Sequence, residues 1–281
     1  MDSATAKDRS LDSKPCFPLS VDECADMFLH PFIIAARART ERWRIAAQPA
    51  VGDTVSAWSW QALIVEDPQL ALIELGGGDP FDDVYRQSQA HQFIHGCGLF
   101  PAGPAVMQLA SMFVRAASAR TILDLGCGIG YSTFWLAGTA ASGATVTGID
   151  SDRGHIEMAR SACSQLGLDD RVRFIVGEVA EVLGIIDGRV DAVHDDAWFA
   201  AAPPYLDTMI GVLRPGGLLT MPNWFLLVDA LSGSPRNAWE NFAGPTWAAD
   251  AIEYAEELAA RPDLAVSWTI RPPLGVAVKL R

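Results

Sequence analysis

The chain has 281 residues, half of them apolar, and a formal net charge of −13. This is enough apolar material for a sizeable core, and the acidic field opposes a polyanion, so nucleic acid is not an expected partner. No apolar run approaches the ~20 residues that span a bilayer and residues 1–20 are polar, unlike a secretory signal, so we expect a cytoplasmic protein with no membrane partner.

Residues 1–19 are rich in Ser, Asp, Lys and Pro and predict a poorly ordered tail. Residues 20–100 predict a mainly helical extension, serving as a lid or as a contact in a homodimer. Ser20 and Glu23 fit a capping box ahead of Met27, Phe28, Phe32, Ile33 and Ile34, with Pro31 dividing that helix. Arg37, Arg39, Arg42 and Arg44 would spread over more than one helical face; a solvated face is favoured over a subunit contact or an acidic ligand. The stretch 58–65 reads equally as helix or strand. Asp67-Pro68 and Asp79-Pro80 each open a helix, ending at Gly76 and Gly96.

From Pro104 the pattern becomes an alternation of helix and strand, the signature of a mostly parallel sheet covered on both faces. Strands are predicted near 120–125, 145–150, 172–177, 190–195 and 217–222. Helices are predicted near 104–118, 130–140, 153–166 and 203–213. A looser segment, 224–246, leads to a helix near 247–260. Two last strands, 265–270 and 275–281, are close enough for an antiparallel hairpin. The expected fold class is therefore α/β, Rossmann-like and doubly wound, with a seven-stranded sheet over residues 101–281 and the helical extension before it.

The stretch from Thr121 to Thr133, Thr-Ile-Leu-Asp-Leu-Gly-Cys-Gly-Ile-Gly-Tyr-Ser-Thr, runs from an apolar strand through a glycine turn into a helix. Gly126, Gly128 and Gly130 let backbone approach a ligand at the carboxyl edge of the sheet. The dinucleotide pattern needs its third glycine one position later, where this chain has Tyr131. Asp124, two residues before Gly126, suits a cationic amino group and would repel a pyrophosphate. Asp150 ends the next strand and can accept both hydroxyls of a ribose. Glu178 follows the third strand, within reach of an adenine ring.

Together these stretches make residues 101–281 resemble a class I S-adenosylmethionine-dependent methyltransferase, most like the catechol and caffeoyl-CoA type of O-methyltransferase. The matching segments are Leu123 to Ser132, Val146 to Asp152, Val193 to Asp196, Leu213 to Gly217 and Pro273 to Val278. The resemblance implies S-adenosylmethionine as cofactor, with Asp124 and Ser132 near its methionine end, Asp150 on the ribose and Glu178 at adenine. It implies transfer to a small-molecule acceptor, with a hydroxyl favoured over nitrogen or carbon. A related enzyme that binds the same cofactor for cyclisation or decarboxylation, and a non-catalytic scaffold of the same fold, are the rival readings.

That family places a divalent cation on an Asp after the fourth strand and an Asp-Asn pair after the fifth. Here Asp196 and Asn223 are present, but Pro222 replaces the second acid, which leaves too few oxygens for a hard cation. No metal is expected there. Deprotonation of the acceptor then falls to Asp196 or His194, the latter equally readable as a packed residue. Trp198, Asn223, Trp224 and His95 are candidates for acceptor binding, although with nine tryptophans core packing explains aromatic residues equally well. His91 and His95 share a helix face, yet no third zinc ligand is apparent. The five cysteines, Cys16, Cys24, Cys97, Cys127 and Cys163, have neither disulfide-like nor metal-type spacing.

Overall fold

The computed structural model describes residues 73–198, 201–234 and 239–281. The expected tail, the Ser20/Glu23 capping box, the arginine cluster, the 58–65 stretch and the Asp67-Pro68 helix start lie outside these residues. Seven strands form one sheet: β1 (Thr121–Leu125), β2 (Thr145–Asp150), β3 (Val172–Val176), β4 (Val190–Asp195), β5 (Leu213–Met221), β6 (Leu264–Ile270) and β7 (Pro273–Lys279). Their spatial order is β3-β2-β1-β4-β5-β7-β6. The first five strands run parallel, while β7 is antiparallel to both β5 and β6. The order in which the chain adds strands reverses between β1 and β4, and such a switch point opens a crevice at the carboxyl ends of the strands.

Nine helices accompany the sheet among the described residues: α1 (Asp82–His95), α2 (Pro104–Ala116), α3 (Tyr131–Thr139), α4 (Arg153–Gln165), α5 (Val179–Ile185), α6 (Leu206–Val212), α7 (Phe225–Leu231), α8 (Glu240–Ala243) and α9 (Trp247–Ala260). Helix α1 starts where expected: the Asp79 carboxylate accepts the Phe81 N–H at 2.9 Å, and Gly96 closes the helix in the left-handed region at φ 61°. Pro104 opens α2, whose buried side chains Val106, Met107, Ala110 and Val114 recur at helical spacing. Asp152 caps α4 by accepting the His155 N–H at 3.0 Å.

Strand residues alternate between two cores. Ile122, Val146, Ala192 and Leu218 pack with α2 and α3, notably Met107, Phe134 and Leu136. Leu123, Leu125, Val193 and Leu219 pack on the other face with α5, α6 and α9, notably Leu183, Met209 and Leu258. Each such fully covered side chain contributes about 1.5–3 kcal/mol. The α1 segment joins the first core through Val84 and Leu99, and Tyr131 of α3 donates to Asp79 at 2.7 Å. Residues 79–99 thus pack on the same core as α2 and α3.

Two predicted elements need correction. Strand β5 begins at Leu213, before Pro215-Gly216-Gly217, because Leu213 pairs with Val190 and the next registered pair is Ala192 with Leu218. The intervening residues bulge out, with Gly216 at φ 75°. The segment called loose contains a 3-10 turn (Pro222–Trp224) and the short helices α7 and α8. Helices this short are held by tertiary packing, which propensity does not reveal. Helix α5 also carries too few residues for a clear helical period.

Candidate functional site

A cleft of about 410 Å³ opens along the carboxyl ends of β1, β2 and β4, within the range of small-molecule sites. Six of the sequence-predicted residues line it: Gly126, Ser132, Asp150, Glu178, Asp196 and Trp198. It is also lined by a segment the motifs did not single out, from Cys97 to Ala102, together with Ser88, Tyr131, His155 and Tyr205.

Asp124 lies under this floor, fully buried. Its Oδ2 accepts the hydroxyls of Ser132, at 2.8 Å, and Thr133. Its Oδ1 is buried without a hydrogen-bond partner. Burial lifts its pKa to about 7, against the lowering effect of the two hydroxyls. A cation arriving above Ser132 would compensate this carboxylate. The glycines divide the remaining work. Gly126, at φ 75°, is pressed against the loop after β4 so closely that an added Cβ would sit 2.6 Å from Ala197 Cα. Gly128 gives its N–H to Asp150 Oδ2 at 2.9 Å, and Gly130, at φ 96°, turns the chain into α3.

Asp150 is held in place from three sides. Besides Gly128, the Asp152 N–H donates to Oδ1 at 2.8 Å, and the His155 ring Nδ1 stands 3.5 Å from the same oxygen. A carboxylate has about four lone-pair positions, so capacity remains for hydroxyls of a ligand. Burial depresses the His155 pKa, but hydrogen bonding to Asp150 and Cys97 and the nearby charges of Asp150 and Asp152 outweigh it and raise the value to about 9. Glu178 caps the start of α5 from the cleft wall without using its side chain for the cap.

The β4–β5 side is built differently. Asp196 follows β4, and its N–H is bound to the Leu125 carbonyl at 2.9 Å. Burial, with the carboxylates of Asp124 and Asp195, raises its pKa well above the usual carboxylate range, partly offset by the Asn223 side chain. Asn223 donates to the Trp198 carbonyl at 2.7 Å. Asp195 points to the other face, where Tyr205 donates to it at 3.0 Å and burial lifts its pKa to about 6. Trp198 is 40 % exposed and stands edge-on to Tyr205, with ring centroids 6.2 Å apart.

Three expected positions are corrected. His194 is not at the crevice: its ring is fully buried in the row Asp124–His194–Thr220 across β1, β4 and β5, and its Nδ1 shares a 2.8 Å hydrogen bond with Thr220 Oγ1. Desolvation lowers its pKa to about 4, and no acceptor can reach it. Trp224 stacks on Tyr254 at 5.3 Å and meets Trp268 edge-on at 5.9 Å. With Asn223 and Trp198 it lines a separate cavity of only about 20 Å³. The Trp224 indole lies where a Cβ on residue 275 would be, which explains the glycine there. His95 ends α1 outside the cleft wall, its ring 4.4 Å from that of His91. The partners of His91 are instead Cys97, at 3.2 Å from Nδ1 to Sγ, and His155, whose ring centroid is 5.1 Å away.

Comparison with known proteins accords with this geometry. Residues 116–243 match the family model described as a methyltransferase domain. A protein of Mycobacteroides abscessus, named for O-methyltransferase activity, is 32% identical over 142 residues, or 50% of this chain. The chain spans 65% of the length of that relative, somewhat less than two thirds. Among solved structures, the O-methyltransferase TomG of Streptomyces achromogenes, involved in tomaymycin synthesis and bound to S-adenosylmethionine, aligns with a TM-score of 0.56 and 21% identity, covering 78% of this chain and 92% of that one. The O-methyltransferase of Bacillus cereus in complex with S-adenosylhomocysteine aligns with a TM-score of 0.55 and 22% identity, covering 77% and 93%. Residues 116–243 thus match a methyltransferase-domain model, and the seven-stranded order with its glycine turn after β1 is a fold shared with these solved O-methyltransferase structures.

Proposed function

We propose that this chain is an S-adenosylmethionine-dependent methyltransferase acting on a hydroxyl of a small, flat acceptor. The observation that carries this reading is the pair of carboxylates on one cleft, Asp124 beneath Ser132 with a buried oxygen left over, and Asp150 fixed by backbone N–H groups with acceptor capacity to spare. That pattern suits a cationic nucleoside without phosphate. The names of the relatives support oxygen as the acceptor atom.

When bound, the cofactor supplies a methyl group on a sulfonium. Ser132 and Asp124 would hold its ammonium end, Asp150 its ribose hydroxyls and Glu178 the adenine side. Displacement at a methyl depends chiefly on alignment and exclusion of water. Trp198 and Tyr205 form the apolar wall on the acceptor side, next to Asp196. Asp196 is the base that takes the hydroxyl proton, because it is the cleft carboxylate nearest that wall and its raised pKa makes it a better proton acceptor once ionised. Its neighbour Asn223, tied to the Trp198 carbonyl, orients the loop. With Pro222 in place of an acid, we read methyl transfer as independent of Mg²⁺ at Asp196. No described helix is long and apolar enough to cross a membrane, and we propose a cytoplasmic location.

The test is incubation with methyl-labelled cofactor and a panel of aromatic hydroxyl compounds, with and without added Mg²⁺. Labelled ether product is expected, at a rate insensitive to Mg²⁺. Turnover without label in the product would establish cyclisation or decarboxylation instead. Cofactor binding without turnover of any acceptor would favour the scaffold, and a rise in rate with Mg²⁺ would overturn the metal-independent step.

A further inference from the structure

Three residues far apart in the sequence meet at the rim of the cleft. One side-chain ligand atom each from His91, Cys97 and His155 lie within 4.8 Å of one another. His91 belongs to α1, Cys97 to the loop that follows and His155 to the first turn of α4. Ligand atoms of a tetrahedral zinc centre, with Zn–S of about 2.3 Å and Zn–N of about 2.0–2.1 Å, stand roughly 3.5 Å apart. The 3.2 Å between His91 Nδ1 and Cys97 Sγ is close to that spacing.

A second observation points the same way. His155 is only 7% exposed, and its Nε2 is buried without a hydrogen bond of normal geometry. Its other nitrogen, Nδ1, faces Asp150 Oδ1 at 3.5 Å. A carboxylate that orients one ring nitrogen while the other is left for an ion is the usual outer support of a metal-bound histidine. A buried polar atom without a partner is costly, and an ion is one way of satisfying it.

We infer that His91, Cys97 and His155 form a binding site for one soft divalent cation, Zn²⁺ or its surrogate Co²⁺, with a fourth position open to the cleft. Thiolate and imidazole donors select such ions over Mg²⁺, so this site is separate in place and chemistry from Asp196. The ion would clip the end of α1 and the Cys97 loop to α4, and through Asp150 to the ribose end of the cofactor cleft. This set takes His91 but not His95, and its other two donors come from the Cys97 loop and from α4.

Titration of the purified full chain, stripped with chelator, with Co²⁺ alone tests this directly. A single equivalent should bind and produce a near-ultraviolet sulfur-to-cobalt charge-transfer band. X-ray absorption on the Zn²⁺ form should give one sulfur at about 2.3 Å and nitrogens at about 2.0–2.1 Å. Cys97→Ser should abolish the cobalt band, whereas Cys163→Ser, a buried thiol elsewhere, should retain it. Asp150→Asn should weaken metal binding roughly 10–100-fold. Failure of the unmodified chain to take up either ion, or uptake without sulfur coordination, would overturn the site regardless of how the variants fold. The readouts are metal affinity and spectra, so they stand whether or not methyl transfer is found.

Discussion

The two halves of the cleft are made in different ways. On the β1–β2 side, recognition rests on fixed groups: a glycine turn whose N–H holds Asp150, and a carboxylate under the floor tied to two hydroxyls. On the β4–β5 side it rests on large side chains, Trp198, Tyr205 and, packed behind them, Trp224 and Tyr254. In the proposed reading the first side takes the cofactor and the second the acceptor, so the cofactor side is the one that spacing to a glycine turn marks in the sequence.

The comparison can be tested from its strongest point downward. Trp224→Ala removes an indole that is 4% exposed and should cost about 3–5 kcal/mol of stability by denaturant unfolding. Cofactor affinity per folded molecule should hardly change, and a comparable loss of affinity would show that the halves are not separable. Asp124→Asn should produce an effect on the order of 3 kcal/mol that depends on pH. The folded pKa of this acid, about 7, is above its ordinary 3.8, so the folded state holds the extra proton. Its contribution to stability is present at low pH and is lost as pH rises from about 4 to about 7. The variant should gain on the unmodified chain across that window. His194, lowered to about 4, titrates in the opposite sense but is common to both proteins and cancels in the difference.

Gly126→Ala combines a collision with Ala197 and a left-handed φ, and should cost on the order of 3 kcal/mol while weakening cofactor binding. Asp150→Ala should weaken cofactor binding by about 1–3 kcal/mol in calorimetry. Unchanged affinity would remove Asp150 from the ribose. Thr220→Val, which takes away the partner of His194, should cost only about 1 kcal/mol of stability and leave turnover intact. A large loss of turnover would restore His194 to the mechanism.

The parallel sheet was legible because its strands are short apolar runs ending in acids or glycines, and the helices between them carry caps and terminators such as Asp152 and Gly96. The bulge at Pro215-Gly216-Gly217 was not, since a Gly-Gly pair marks a turn as readily as an interrupted strand. In the site, Asp124 and Asp150 could be found because spacing to a glycine turn defines them. His194 was misplaced because it lies inside the sheet, in the buried row with Asp124 and Thr220, and the sequence does not say how far a strand runs before the crevice opens. Cys97 and His155 were not paired in the sequence because the loop after α1 meets the start of α4 only in the fold, 58 residues apart. His155 had one clue, its place in the first turn of a helix capped by Asp152, just past Asp150.

Gly126 and Ala197 are in contact, and the N–H of Asp196 is bonded to the carbonyl of Leu125. The end of β1 and the loop after β4 are thus tied together. In the proposed reading, swinging the Asp196 loop outward to admit a different acceptor would break that tie and disturb the glycine turn. New acceptor preferences in this scaffold should arise by exchanging the rings at 198 and 205 while the backbone beneath them stays as it is.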